Sequence, residues 1–311
     1  MSVSNTAAPC DCSIVLVALV GGDALGACLR RLAPWQGRCR VMLGEDMQDV
    51  AKWQAHFPAV QFADGRGLSV PMRRQRGVEA AQNPIVALLE DTSLPDPGWL
   101  EAMCEAFIND NVGAAAGPVR IDPALGGRYQ ALACTEYGRY HPDRFLRLAL
   151  GAPDAGGTQA VSRLPGNNLA YRRALLLEIL QGSDHGLIEG KVNEALKARG
   201  FSLALQPRMA VLYAAADFHG ARLGTRLQHG RLYAGQRAAG RSYPARLVWF
   251  AASLLLPAVL SVRALAGMTR AVKPAAWPKT AFWICLMESA WAIGESVGYL
   301  AGAGRSMEAW R

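Results

Sequence analysis

The chain alternates short apolar runs with segments in which apolar residues recur every three or four positions. Short, nearly continuous apolar runs are typical of buried strands, and the recurring spacing is typical of helices with one buried face. The predicted strands are Ser13–Val20, Arg40–Leu43, Ile85–Leu89, Ala114–Val119 and Ser202–Leu205, and the predicted helices are Leu25–Leu32, Met72–Ala81, Trp99–Ile108 and Ile188–Arg199. This alternation predicts an α/β fold with a mainly parallel sheet covered by helices on both faces.

The last third of the chain follows a different pattern. Between Asp217 and Glu288 there is no acidic residue, but there are ten lysines and arginines. Leu247–Val262 is an uncharged run of 16 residues, and a second apolar stretch, Thr280–Ala303, is interrupted only by Glu288 and Glu295. Because a bilayer-spanning helix needs roughly 20 residues, this composition favours helices that lie in a membrane surface, with arginines on anionic headgroups. The alternative is a helical hairpin buried against the sheet domain.

The composition and net charge of the chain limit the classes of function that it can have. The chain has 311 residues, of which 51% are hydrophobic and 19% charged, and this excludes a disordered chain. Its net charge is +8, but the basic residues lie beside apolar helices rather than among aromatic side chains, so lipid is favoured over nucleic acid. The odd number of cysteines, seven, predicts reduced thiols in a cytosolic compartment.

The most informative segment is Ile85–Leu100, in which a buried strand ends in Glu90, Asp91 and Thr92 and a proline-rich turn leads into a helix. Sheets of this class bind ligands at the carboxyl ends of their strands. Carboxylates there are hard oxygen ligands, suited to Mg²⁺ or Mn²⁺ that carries a substrate diphosphate. The alternative role for the aspartate is to cap a helix in an ordinary turn.

Two further groups of polar residues stand beside predicted elements. Arg73, Arg74 and Arg76 lie near the start of a predicted helix, where they either pair with phosphate oxygens or remain solvated on the surface. Asn167 and Asn168 follow a Pro-Gly turn. Their side-chain amides either hydrogen-bond one of two substrates, the group donor or the group acceptor, or hydrogen-bond the backbone of the turn itself.

These segments resemble, in order and spacing, the family 2 glycosyltransferases, whose fold is a nucleotide-sugar-binding α/β domain of the GT-A type. The matching segments are Ser13–Val20, Arg73–Ala81, Ile85–Leu100, Leu164–Arg173 and the stretch from Ile188 through Gly200 to Pro207. The resemblance covers roughly residues 13–245. It predicts a glycosyltransferase domain (13–245) preceded by an N-terminal tail (1–12). The apolar, acid-poor end of the chain predicts a C-terminal membrane-associated hydrophobic helical hairpin (246–311).

The resemblance implies transfer of a sugar, with inversion, from a nucleotide-diphosphate sugar to a hydroxyl of a lipid-linked or saccharide acceptor. It implies that Glu189 is the general base and that Glu90 and Asp91 bind Mg²⁺ or Mn²⁺. An acidic residue after the second strand would contact the nucleotide base, and the alignment leaves Glu45 and Asp46 as candidates. Together with the basic apolar tail, it predicts a position on the cytoplasmic face of the cell membrane.

Three positions depart from the family pattern. Thr92 replaces a third acid, Ile188 replaces the first acid of an acidic pair, and Tyr213 stands where many members have a metal-binding histidine. These departures weaken the expected metal dependence. They leave two alternative functions open, a nucleotidyltransferase on the same fold and a degenerate, non-catalytic binding subunit.

Overall fold

The computed structural model describes residues 10–45, 47, 50–143, 159–160, 164–216 and 218–306. The chain forms two compact units, the first spanning 1–120 and 142–213 and the second spanning 121–141 and 214–311. These units begin and end at other points than the predicted segments 13–245 and 246–311. The difference arises because helices in 121–141 and 214–245 pack with the C-terminal helices.

A mixed sheet forms the centre of the first unit. Its strands, in spatial order, are β3 (Gln61–Asp64), β2 (Cys39–Leu43), β1 (Cys12–Val17), β4 (Ile85–Glu90), β9 (Asn168–Arg172), β6 (Val112–Ala116), β10 (Ser202–Leu205) and β8 (Gln159–Ala160). Strands β3, β2, β1 and β4 are parallel neighbours, as are β6 and β10, whereas β9 runs antiparallel to both β4 and β6. The mainly parallel α/β sheet is therefore confirmed, with two reversed strands, β9 near its centre and β8 at its edge.

A second, smaller sheet corrects one predicted strand. It contains β5 (Ser93–Pro95), β11 (Val211–Tyr213) and β7 (Val119–Ile121), in that order. The predicted strand Ala114–Val119 is in fact two strands, because the chain leaves β6 at Gly117 and enters β7 after Pro118. Gly117 passes so close to the backbone of Met209 that a side chain there would overlap it, and proline cannot donate to a ladder.

Four helices of the first unit match the predicted ones to within a few residues: α1 (Gly22–Leu32), α3 (Val70–Ala80), α4 (Trp99–Ala106) and α7 (Glu189–Ala198). Two more, α2 (Val50–His56) and α6 (Arg173–Leu180), were not predicted. Helix α3 packs against β1 at Gly77, where an added Cβ would collide with Val15. This close contact places Arg73 and Arg74, one turn earlier, near the carboxyl ends of the strands.

A disulfide joins Cys10 to Cys104 and so links the entry of β1 to α4. The prediction that the thiols are reduced is wrong for this pair, since sequence spacing carries no sign that residues 94 apart become neighbours. The five other cysteines are free, and four of them are buried.

The second unit is helical. It contains α5 (Gly127–Tyr137), α8 (Leu223–Ala238), α9 (Tyr243–Ser253), α10 (Leu256–Ala271) and α11 (Trp277–Ala301). Helices α8 and α11 cross with their backbones in contact, because Gly230 faces the carbonyl of Trp291 and Gly294 faces that of Leu227. Small residues permit this approach. The predicted C-terminal helical region is therefore confirmed.

The two acids that interrupt the second apolar stretch face the interior of this unit. Glu288 and Glu295 are each 5% exposed. Arg226 on α8 lies between Glu136 and Glu288, and Glu295 accepts hydrogen bonds from Trp291 Nε1 (2.6 Å) and the Tyr299 hydroxyl (3.0 Å). The acids therefore mark the buried side of α11, where they have partners.

Candidate functional site

Acidic side chains gather where β4 ends, at the edge of the sheet that also holds the carboxyl ends of β1 and β2. Glu90 is the last residue of β4, and Asp91 and Thr92 follow it directly. Glu90 is 7% exposed, Asp91 1% and Thr92 0%. Because a buried carboxylate is costly without partners, both acids require hydrogen bonds or cations within the protein.

Asp91 is held by the loop that joins β1 to α1. Its carboxylate accepts hydrogen bonds from the backbone N–H groups of Leu19 (2.9 Å), Val20 (3.0 and 3.3 Å) and Gly21 (2.7 Å). Burial raises the pKa of Asp91 to about 6, and the backbone hydrogen bonds oppose this rise. These bonds draw residues 19–21 away from β1, so the strand ends at Val17 and not at the predicted Val20. Asp91 thus fixes the loop that leads into α1.

Arg74 lies between two carboxylates. Its Nη2 is 2.5 Å from Oε1 of Glu90, and its Nη1 pairs with Oε1 of Glu189. Thr92 donates its hydroxyl to Oε2 of Glu90 at 3.2 Å. Burial raises the pKa of Glu90, and Arg74 opposes this shift. We call this group the Glu90–Arg74–Glu189 triad; it joins the end of β4 to the start of α7.

Glu189 is the most accessible member of the triad. Its side chain is 16% exposed, against 9% for Glu90 and 3% for Arg74. It is the first residue of α7, where a negative charge is favourable because the helix N-terminus carries partial positive charge. An added Cβ on Gly166 would lie 2.5 Å from Oε1 of Glu189, so the loop before β9 needs glycine to pass this carboxylate.

Tyr171 and Asn193 help to place α7. The Tyr171 hydroxyl donates to Oδ1 of Asn193 at 3.2 Å, and both residues are buried. This hydrogen bond joins β9 to the helix that begins with Glu189. The pair was not identified from the sequence, since 22 residues separate its members and Asn193 is not one of the residues that carry the resemblance.

The acids do not fit a divalent-ion site as they stand. Mg²⁺ requires several oxygen ligands that converge on one point at about 2.1 Å. Both oxygens of Asp91 accept hydrogen bonds from the backbone, and both oxygens of Glu90 are engaged by Arg74 and Thr92. Within the described parts of the chain, no three His, Cys, Asp or Glu residues are grouped so as to hold a metal ion.

The three predicted phosphate-binding arginines occupy different surroundings. Arg73 is buried and donates to the backbone carbonyls of Ala18 (2.9 Å) and Leu68 (3.3 Å), so it joins the loops that follow β1 and β3. Arg74 belongs to the triad. Arg76 is 60% exposed and pairs with Glu79 across one turn of α3.

Asn167 and Asn168 are both fully buried but differ in their hydrogen bonds. Asn168 accepts from Trp99 Nε1 (2.9 Å) and donates to the Met209 carbonyl (2.7 Å), which satisfies its amide within the fold. Asn167 donates to the hydroxyl of Ser93 at 2.8 Å, and none of the described residues donates to its Oδ1. The partners Trp99 and Ser93 were not predicted.

Glu45 follows β2 at the same edge of the sheet. Its Oε1 accepts the backbone N–H of Gly67 at 2.7 Å, which ties the turn after β2 to the turn after β3. Gly67 has φ 79°, a conformation that favours glycine. The other candidate for a contact with the nucleotide base, Asp46, lies outside the described residues.

Comparison with known proteins places the fold. No family model matches the sequence, and no curated protein matches it either. The structure is similar to that of the mannosyltransferase PcManGT from Pyrobaculum calidifontis, solved with GDP-Man and Mn²⁺; the TM-score is 0.53 at 14% identity, and the match covers 93% of this chain and 87% of that one. GalNAc-T7, solved with UDP, GalNAc and Mn²⁺, gives a TM-score of 0.49 at 10% identity over 67% of this chain and 44% of its own. The first likeness establishes that this chain has a GT-A-like α/β fold.

Proposed function

We propose that this chain is a glycosyltransferase that moves a sugar, with inversion, from a nucleotide-diphosphate sugar to an acceptor hydroxyl. The observation that carries the proposal is the position of Glu189. Its carboxylate is only partly buried, it begins a helix, and Arg74 ties it to the end of β4. A fixed, accessible carboxylate beside the strand ends is suited to removing a proton from a bound hydroxyl.

In the proposed reaction Glu189 accepts the proton of the acceptor hydroxyl. The hydroxyl oxygen forms a bond to the anomeric carbon of the donor sugar as the bond from that carbon to the diphosphate breaks. The nucleoside diphosphate leaves with the electron pair, and Glu189 later releases the proton to solvent. A single displacement from the face opposite the leaving group inverts the anomeric centre. The acceptor is a hydroxyl of a lipid-linked or free saccharide.

Among the other predicted contacts, Glu45 suits the donor best, because it is exposed at the strand edge. Asn167 is fully buried, and its amide oxygen, to which no described residue donates, is enclosed within the fold. Asp91, Arg73 and Asn168 support this site through hydrogen bonds to backbone or buried side chains. Because PcManGT was solved with Mn²⁺, nucleotide binding is to be measured both with and without a divalent metal ion.

The test is calorimetric binding of a panel of nucleoside diphosphates and nucleotide sugars to the purified chain, with Mn²⁺ and with chelator. We expect one nucleotide class to bind, and its sugar conjugate to release nucleoside diphosphate when acceptor is present. Glu45→Gln is expected to weaken binding of that nucleotide about 10- to 150-fold, since a hydrogen bond to a charged group contributes about 1.5–3 kcal/mol. Glu79→Gln, on the exposed face of α3, serves as the control.

Three results would contradict the proposal. Release of pyrophosphate in place of nucleoside diphosphate would identify a nucleotidyltransferase. Absence of binding to every nucleotide under both conditions would favour a non-catalytic subunit. Retention of the anomeric configuration in the product would exclude the single displacement by way of Glu189.

A further inference from the structure

The second unit exposes a dense group of large apolar side chains along α9 and α10. Seven of them lie within twenty residues, each between 41% and 69% exposed: Tyr243, Leu247, Val248, Leu254, Leu255, Val259 and Val262. Scattered apolar residues on a surface are ordinary, but a contiguous group of this size marks an interaction surface. We call this group the α9–α10 wedge.

The wedge has a defined shape. Helices α9 and α10 meet at an angle of 51°, and Leu254 and Leu255 stand at the bend with 63% and 69% exposure. The opposite side of the pair is anchored, since the Ser253 hydroxyl lies 2.7 Å from that of Ser296 on α11 and Trp249 packs against Tyr299. Anchoring on one side leaves the apolar bend pointing outward.

Basic side chains border the wedge. Arg263, Arg270 and Lys273, on and just after α10, are exposed, and the chain has no acidic residue between Asp217 and Glu288. Arg246 differs from them, because it donates to the carbonyl of Tyr299 at 2.7 Å and so caps the end of α11. An apolar wedge bordered by basic side chains is complementary to a lipid bilayer, which has an apolar interior and can have an anionic surface.

The lengths of the helices indicate how deep such a contact reaches. No single described helix is long and apolar enough to cross a membrane, whereas α9 and α10 meet that criterion only as a bent pair. Helix α9 has 11 residues and is therefore about 16 Å long, roughly half the thickness of a bilayer's hydrocarbon core. The second apolar stretch, α11, packs its glycines against α8 and buries both of its acids, although Phe282 and Ile293 are exposed.

We propose that the α9–α10 wedge binds an anionic lipid bilayer by inserting its bend at Leu254 and Leu255 into the interface, while the bordering arginines and Lys273 contact lipid headgroups. The inner leaflet of a cell membrane is anionic, which accords with the predicted position on its cytoplasmic face. This proposal concerns the second unit alone and does not depend on sugar transfer. The bilayer that the wedge binds is also the place where a lipid-linked acceptor would reside.

The experiment is flotation of the full chain with vesicles of phosphatidylcholine that do or do not contain phosphatidylglycerol. We expect binding to the anionic vesicles that weakens in high salt, and a loss of at least about tenfold in Leu254→Glu/Leu255→Glu. Ile108→Glu is the matched control, because Ile108 is an 80% exposed apolar residue of the first unit. It is expected to bind vesicles as the unmodified chain does.

Circular dichroism and thermal melting are used to check that both variants remain folded. We expect them to be folded, because the substituted residues are exposed. Failure of the unmodified chain to float would overturn the proposal, and so would an equal loss in the Ile108→Glu control. A double variant that abolishes self-association in sedimentation, yet floats normally, would identify the wedge as a contact between copies of the chain. Nucleotide binding is unaffected by any of these outcomes, so the lipid proposal and the catalytic proposal fail independently.

Discussion

Glu189→Gln is expected to lower kcat/KM about 10²- to 10⁴-fold, the contribution typical of a positioned general base. Glutamine keeps the size and one oxygen acceptor of the side chain but does not take up a proton at neutral pH. Arg74 retains its ion pair with Glu90 at 2.5 Å, so the site keeps most of its internal support. The nucleotide is expected to bind this variant nearly as well as the unmodified chain. The measurement is turnover of the donor found in the binding panel, alongside its dissociation constant.

Glu194→Gln provides the control, because Glu194 is an exposed acid on the same helix, five residues further along. It is expected to leave turnover unchanged. A purely structural role for Glu189 would instead lower thermal stability and nucleotide affinity together with turnover. Full turnover by Glu189→Gln would remove Glu189 from the mechanism while leaving the fold assignment intact.

Arg74→Met is expected to cost about 3–5 kcal/mol of the free energy of unfolding, the usual penalty for removing one partner of a buried ion pair. Glu90 is 9% exposed at its side chain and would keep only the hydroxyl of Thr92 as a partner. Because folded domains are stable by only about 5–15 kcal/mol, a loss of this size is readily measured by urea denaturation. Arg76→Met is the matched control, since its exposed pair with Glu79 is worth at most about 1 kcal/mol.

Two further measurements identify the cause of that loss. Adding Glu90→Gln to Arg74→Met removes the uncompensated charge and is expected to recover part of the stability, which a double-mutant cycle quantifies. The loss is also expected to shrink at low pH. Burial holds the pKa of Glu90 above its unfolded value, so the folded single variant binds a proton that the unfolded chain has released. The penalty therefore grows as pH rises from acid to neutral. An equal loss in the two single arginine variants, or one independent of pH, would show that the triad is not an electrostatic unit.

The strands and the triad differ in how far local sequence predicts them. The strand Ile85–Leu89 was predicted correctly because all its side chains are buried, and burial on both faces leaves a continuous apolar run in the sequence. Strand β9 was not predicted, although its residues Asn168–Arg172 are nearly all buried. Its polar asparagine and arginine interrupt the apolar pattern, and their partners lie on other strands and loops.

The candidate residues were found, but the bonds they make were not. The resemblance singled out Glu90, Asp91, Arg74 and Glu189. Their pairing depends on contacts across 16, 70 and 115 residues, which no local spacing records. The partner of Asp91 could not be predicted for the same reason, because a carboxylate can bind a metal ion as well as accept hydrogen bonds from backbone N–H groups. Only the path of the loop at Leu19–Gly21 decides between these partners.

Apolar runs, helical periodicity and charge are local properties of the sequence, and they predicted the α/β class and the helical end of the chain. The resemblance to a known family supplied the residues worth testing. Three features appear only in the tertiary structure: Arg74 bridges two acids, residues 127–137 join the C-terminal helices, and one apolar stretch of the tail buries its two acids while the other exposes seven large apolar side chains. These features depend on which distant segments become neighbours. Chain connectivity and side-chain packing set that outcome together, and no segment carries it alone.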